Sequence, residues 1–167
     1  LEELGAIDER GDLTDTGRVL GRLPIDPRLG RMVLGGRDER ALREVLIIAS
    51  ALGVQDPRDR PQAHAARADE LHRKFRDETS DFLGHLKLWA FWQETKTRRS
   101  RSQQLKVCKD EFLSARRLRE WEDVYEQLAR VVRELELRPN EQPATPEQIH
   151  RALLPGLLSK IGLWSPE

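Results

Sequence analysis

The sequence predicts a mainly α protein built as a helical bundle, and three observations predict it. Trp121, Val124, Tyr125, Leu128, Val131, Val132 and Leu135 recur at steps of one and three, which places them on one face of a helix. Two helix starts are spelled out, Asp26-Pro27 and Thr145-Pro146, each a capping residue followed by proline at the first helical position. Aromatic residues make up only 5% of the chain against 35% charged residues, and no stretch reads as an aromatic β-sandwich.

Taken in order, Leu1 and Leu4 share a helical face that Gly5 ends. "AIDERGDLT" fits either a small hairpin or an extended connector. Thr14 caps a helix from Asp15 to about Leu23, with Val19, Leu20 and Leu23 inward and Pro24 closing it. Asp26 and Pro27 open the next helix, Leu29, Met32 and Val33 continue it, and Gly35-Gly36 is expected to stop it. Residues 41–54, "ALREVLIIASALGV", are apolar almost all round and predict a buried central helix. "QDPRDRPQ" is a loop, and 67–78 reads as a polar surface helix.

Ser80 caps a helix over 80–94, with Phe82, Leu86, Trp89 and Trp92 along one side and Leu83, Leu88 and Phe91 widening it. A helix over 103–118 would carry Leu105, Cys108, Phe112 and Ala115 on one face. The amphipathic stretch through 121–135 follows, and "RPNEQPA" breaks it. Thr145 and Gln148 form a capping box for the last helix, which is expected to kink or break at Pro155 and to end near Gly162. The total is seven or eight helices with almost no strand, and no repeat of 30 to 45 residues suggests a solenoid.

Length and composition narrow the function classes. The chain has 167 residues, enough for one domain or one and a half. It begins with Leu1 and no methionine, so residue 1 is read as a cut in a longer protein. A single cysteine, Cys108, forbids an internal disulfide, argues against a cysteine-based zinc site and fits a reducing, cytoplasmic setting. No run of eighteen apolar residues and no signal-peptide pattern are present, so no membrane partner is expected. Neither G-x-x-x-x-G-K-[ST] nor G-x-G-x-x-G occurs. His64, His72, His85 and His150 lack metal-ligand spacing, and Cys108 reads as a core residue. No catalytic, cofactor-binding or metal residue is assigned.

The charges are more informative than their zero sum. From Lys96 to Arg119 nine basic residues face two acids, whereas from Glu120 to Glu147 eight acids face three arginines. Arg98, Arg99, Arg101, Lys106, Lys109, Arg116 and Arg117 are therefore candidate contacts for a phosphate backbone, with salt-sensitive, sequence-independent affinity. The same charges also fit pairing with the acidic helix that follows, and both readings stand at this point.

The opening stretch adds a resemblance. "LGAIDERGDLTDTGRVLGRLPIDPRLGRMVL" resembles the helicase-associated region of DEAH-box RNA helicases, whose pattern there is L-G-A-[IL]-D, a short gap, then L-T-x-x-G-x-x-[LM]-x-x-[LF]-P-[LIV]-[DE]-P. "EVLIIASALGVQDPRDRP", "SDFLGHLKLWAFW" and "CKDEFLSARRLREWEDVYEQL" are similar to that family's next three blocks, in the same order. "REWEDVYEQL" together with "IHRALLPGLLSKIG" looks most like the bacterial HrpA type. "DELH" at 69–72 imitates the family's name motif but follows no apolar strand, so it is not that magnesium-binding motif.

The resemblance implies a ratchet-like helical bundle over 26–167, preceded by the C-terminal part of a winged-helix domain over 1–25. It implies an accessory part of an ATP-dependent RNA helicase that packs on RecA-like motor lobes and an OB-fold of the same chain and guides single-stranded RNA. ATP and magnesium would belong to the parent helicase, and the fragment alone would be inactive. A stand-alone helical protein-interaction module is the alternative, and a winged-helix DNA-binding regulator is a weaker third.

Overall fold

The structure, a computed structural model, describes Gly21 and residues 26–162. Apart from Gly21, the predicted helix at 15–23 and the winged-helix tail over 1–25 lie outside the described residues. Seven α-helices are present among the described residues: α1 (Pro27–Asp38), α2 (Leu42–Leu52), α3 (Ala65–His72), α4 (Asp81–Arg98), α5 (Arg101–Asp110), α6 (Ala115–Glu134) and α7 (Pro146–Gly162). Single 3₁₀ turns at Gln62–His64 and Arg73–Phe75 flank α3. The only β pairing among the described residues is an isolated bridge between Arg58 and Leu113. Two compact units emerge. One comprises the residues up to Gly53 and from Tyr125 onward, the other Val54–Val124, and α6 runs from the second into the first.

The first unit gathers α1 and α2 with α7. Asp26 caps α1, its carboxylate accepting the Arg28 N–H at 2.7 Å, and Pro27 follows as expected. Gly35-Gly36 does not stop this helix, which runs on to Asp38. The reason is packing. A Cβ on Gly35 would collide with the Ala152 carbonyl of α7, and a Cβ on Gly156 of α7 would lie 2.5 Å from the Arg28 carbonyl of α1. Glycines on both helices thus let the two backbones approach closely, a gain that outweighs their poor helix propensity.

The helix α2 is buried nearly all round, as predicted, with Leu42, Val45, Leu46, Ile48 and Ala49 at its core. Its one buried carboxylate, Glu44, accepts from the Asn140 side chain at 2.7 Å and from the Ala144 N–H at 3.3 Å. Asn140 also accepts the Arg43 N–H, so the 138–144 loop is stitched to α2. The capping box of α7 forms as predicted: Gln148 N–H donates to Thr145 Oγ1, and Thr145 N–H donates to Gln148 Oε1. This helix runs unbroken through Pro155. Burial of Ile149, Ala152, Leu153 and Gly156 along one face holds the turns on either side and offsets the cost of about 3 kcal/mol that an interior proline carries.

In the second unit the buried face of α4 differs from the expected one. Leu83, Leu88, Trp92 and Thr95 are buried, whereas Phe82, Leu86 and Trp89 are only half-buried. Helix α4 also extends one turn beyond Glu94, to Arg98. The polar segment predicted as one helix over 67–78 ends as α-helix at His72. It is not wholly on the surface, since Ala68, His72 and Phe75 are buried. The predicted helix over 103–118 is two helices, α5 and α6, separated at Glu111–Ser114.

That break is a left-handed helix end. Phe112 has φ 52°, Leu113 N–H donates to the Cys108 carbonyl at 2.8 Å, and Phe112 N–H donates to Lys109 at 3.3 Å. Arg40 after α1 and Glu136 after α6 end their helices in the same way, with φ 56° and 59°. Glycine is the usual occupant of this position, and none stands at any of the three.

Candidate nucleic-acid interface

All seven candidate basic residues lie in the second unit: Arg98, Arg99 and Arg101 at the α4–α5 connection, Lys106 and Lys109 along α5, and Arg116 and Arg117 at the start of α6. After Arg98 the chain goes extended at Arg99, with φ −124° and ψ 146°, and Ser100 starts α5. Ser100 and Gln103 form a reciprocal capping box, and the Gln104 side chain donates to the Arg99 carbonyl at 2.9 Å. A connection of two residues thereby sets Arg98, Arg99 and Arg101 on a rigid corner. The S-x-x-Q pattern at 100–103 was a readable signal for this start, and the helix expected from 103 overlooked it. Along α5 the buried side is Cys108, while Ser102, Leu105, Lys106 and Lys109 are exposed.

Ion pairing divides the seven candidates. Arg98 pairs with Glu94 of its own helix at 3.4 Å, Arg116 with Glu120 at 3.1 Å, and Arg117 with Asp59 at 3.2 Å. Arg117 also donates to the Asp56 carbonyl, so it braces the 54–61 loop. Arg99, Arg101, Lys106 and Lys109 have no ion pair among the described residues. Pairing with the acidic helix is thus real for Arg116, and for Lys96, which meets Glu122. It leaves the corner and α5 with unneutralised charge. Arg116 and Arg98 remain 89% and 75% exposed in their side chains, and pairs that exposed are worth at most about 1 kcal/mol, so a phosphate can displace them. Arg119 is half-buried and is not a surface cation.

The platform beneath α5 is held by loop contacts. Asp59 N–H donates to the Phe112 carbonyl at 2.8 Å, and Ser114 N–H donates to the Pro57 carbonyl at 2.7 Å. The ring nitrogen Nε2 of buried His72 lies 3.0 Å from the Glu111 carbonyl and 2.9 Å from that of Phe112. Asp56 takes two hydrogen bonds from the Arg58 guanidinium. Burial pushes the Asp56 carboxyl up, but the Arg58 hydrogen bonds and charge overcome this and hold it below the usual range. Burial, with Arg58 beside it, pushes the His85 imidazole down.

A groove of about 660 Å³ opens beside α5, lined among others by Arg60, Leu105, Cys108, Lys109 and Phe112. Burial pushes the Cys108 thiol up to about 11, with Arg119 opposing, so it is no nucleophile at neutral pH. The 69–72 segment lies on helix α3, where Asp69 pairs with Arg60, Glu70 pairs with Arg67 and His72 serves the 111–112 carbonyls. No group of His, Cys, Asp and Glu suited to a metal ion occurs among the described residues, and no helix among them is long and apolar enough to cross a membrane. Sequence reasoning missed Phe112, Arg60 and His64 as neighbours of the basic face: Phe112 reads as a helix interior where α5 in fact ends, and Arg60 and His64 arrive there from a segment much earlier in the chain.

Two family descriptions match this chain. The helicase-associated domain (HA2), ratchet-like, matches residues 26–123, and the helicase-associated domain (HA2), winged-helix, matches residues 1–25. The chain is similar to an ATP-dependent RNA helicase HrpA homolog of Haemophilus influenzae, 46% identical over 174 residues that cover 100% of this chain and 13% of the relative. It is also similar to the ATP-dependent RNA helicase HrpA of Escherichia coli, 47% identical over 168 residues that cover 98% of this chain and 13% of the relative.

Proposed function

Since this chain belongs to the helicase-associated (HA2) ratchet-like family, we propose that it is an accessory part of an ATP-dependent RNA helicase and guides single-stranded RNA along α5. The observation that carries this reading is the set Arg99, Arg101, Lys106 and Lys109: exposed, unpaired among the described residues, and fixed by the Ser100 capping box. Cations so placed neutralise backbone phosphates without reading bases. The family match and the identity to HrpA helicases support the rest of the reading.

In that setting the domain would occupy 26–167, behind the end of a winged-helix domain over 1–25. It would pack on RecA-like motor lobes and an OB-fold of a longer cytoplasmic protein. Leu154 and Leu158, exposed one turn apart on α7, suit such packing. ATP and magnesium would be bound by the motor lobes. The 167 residues contain no phosphate-binding glycine loop with which to hold a nucleotide, so the chain alone should neither hydrolyse ATP nor unwind a duplex.

Fluorescence anisotropy with a labelled oligoribonucleotide tests the reading. Binding should weaken steeply with salt, and each of Arg99→Ala, Arg101→Ala, Lys106→Ala and Lys109→Ala should reduce the salt slope by about 0.7. Binding indifferent to all four substitutions would remove α5 from the strand path.

A further inference from the structure

We infer that Phe112 is a stacking platform for an unpaired base of the strand, with Lys109 holding an adjacent phosphate. This rests on the single-strand reading above and adds a base contact that the cations alone do not supply.

The groove beside α5 combines what a nucleotide needs. Leu105, Pro61, Leu113 and Phe112 supply an apolar lining. Leu105 is 49% exposed, one of few large apolar side chains left open among the described residues. The single carboxylate in the groove, Asp59, is already paired to Arg117, and Arg60 is bound by both oxygens of Asp69. Lys109 is therefore the uncommitted charge on the groove, and it favours an anion. The space of about 660 Å³ accommodates a nucleotide.

Phe112 is held for the task. Its left-handed backbone, φ 52°, is rare for an aromatic residue. The conformation is fixed by the helix-end bonds and by the carbonyl, which lies within bonding distance of Asp59 N–H and His72 Nε2. Its ring meets the exposed His64 ring at 5.9 Å between centroids, tilted by 42°. An aromatic face immobilised beside a free lysine stacks bases of any identity. Charge complementarity favours a nucleic-acid strand over an apolar peptide in this groove.

The test uses the 167-residue chain and an oligoribonucleotide containing 2-aminopurine, with fluorescence quenching as the readout of stacking and anisotropy as the readout of affinity. The wild type and Phe112→Tyr should quench the probe. Phe112→Leu should abolish quenching and weaken binding about fivefold or more, with the salt slope unchanged. A strand carrying abasic sites should bind the wild type as weakly as the intact strand binds Phe112→Leu, an arm that needs no substituted protein. Salt-sensitive binding that ignores both Phe112→Leu and abasic sites overturns the stacking role and leaves the phosphate contacts standing. Failure of the wild type to bind at any salt overturns both.

Discussion

The α1–α7 pair of the first unit and the 54–124 unit hold themselves together by different means. Helices α1 and α7 meet through glycines: Gly35 leaves room only for the Ala152 backbone, and Gly156 only for the Arg28 carbonyl and the Met32 side chain. The second unit fastens its loops with directed polar bonds: Asp56 to Arg58, Asp59 to Arg117, and His72 to the 111–112 carbonyls. The first kind of contact depends on shape and excludes side chains. The second depends on charge and leaves the outward surface of α5 free for cations. Candidate function sits where the polar fastening is, because a helix whose inner side and supporting loop are already bonded can leave its outer side unpaired.

The largest effect should come from breaking the shape-dependent side. Gly35→Val places a branched side chain against the Ala152 carbonyl, and the loss should be about 2–3 kcal/mol in urea denaturation followed by far-UV circular dichroism. An unchanged midpoint would mean that the α1–α7 crossing tolerates bulk and that the contrast between the units is false.

A smaller effect should expose the charge-dependent side. The folded protein holds the His85 imidazole below its usual 6.5, so the unfolded chain binds more protons near that pH. The stabilisation is fully present above 6.5 and is lost as pH falls through the unfolded value. Amide exchange, corrected for intrinsic rates, should show protection in α4 declining below pH 6.5, and His85→Gln should remove that decline. Helix α1, which carries no histidine, should keep its protection over the same range. Equal loss in both regions would contradict the comparison.

The smallest effect tests what the two regions share. Arg40, Glu136 and Phe112 all end helices in the left-handed region without glycine. Exposed Glu136 has nothing to lose in packing, so Glu136→Gly should raise stability by up to about 1 kcal/mol, part of the relieved strain being offset by a more flexible unfolded chain. A thermal midpoint that falls would show that the strain at this position is already relieved by its neighbours.

Much of the fold was legible. Helix starts follow from local chemistry, because a capping oxygen and a proline act within one turn; Asp26, Ser80 and Thr145 all begin helices as their residue types require. The buried α2 and the apolar stripe of α6 followed from composition and period. Helix ends were less legible. Gly35-Gly36 looked like a stop and is a contact, while Phe112 looked like a helix interior and is a stop. In the candidate site, the sequence identified which residues carry positive charge, but not which of them were already paired.

By itself, then, the sequence determined the helical class, the family and the places where helices begin, since each depends on residues within a few positions of one another or on motif order along the chain. Only the tertiary structure decided what the glycines do, where α5 ends, and that Arg117 is spent on Asp59 while Lys109 stays free. Those outcomes are contacts between residues tens of positions apart, Gly35 with Ala152 and Asp59 with Arg117. No local pattern encodes a partner that arrives only when the chain has folded back on itself.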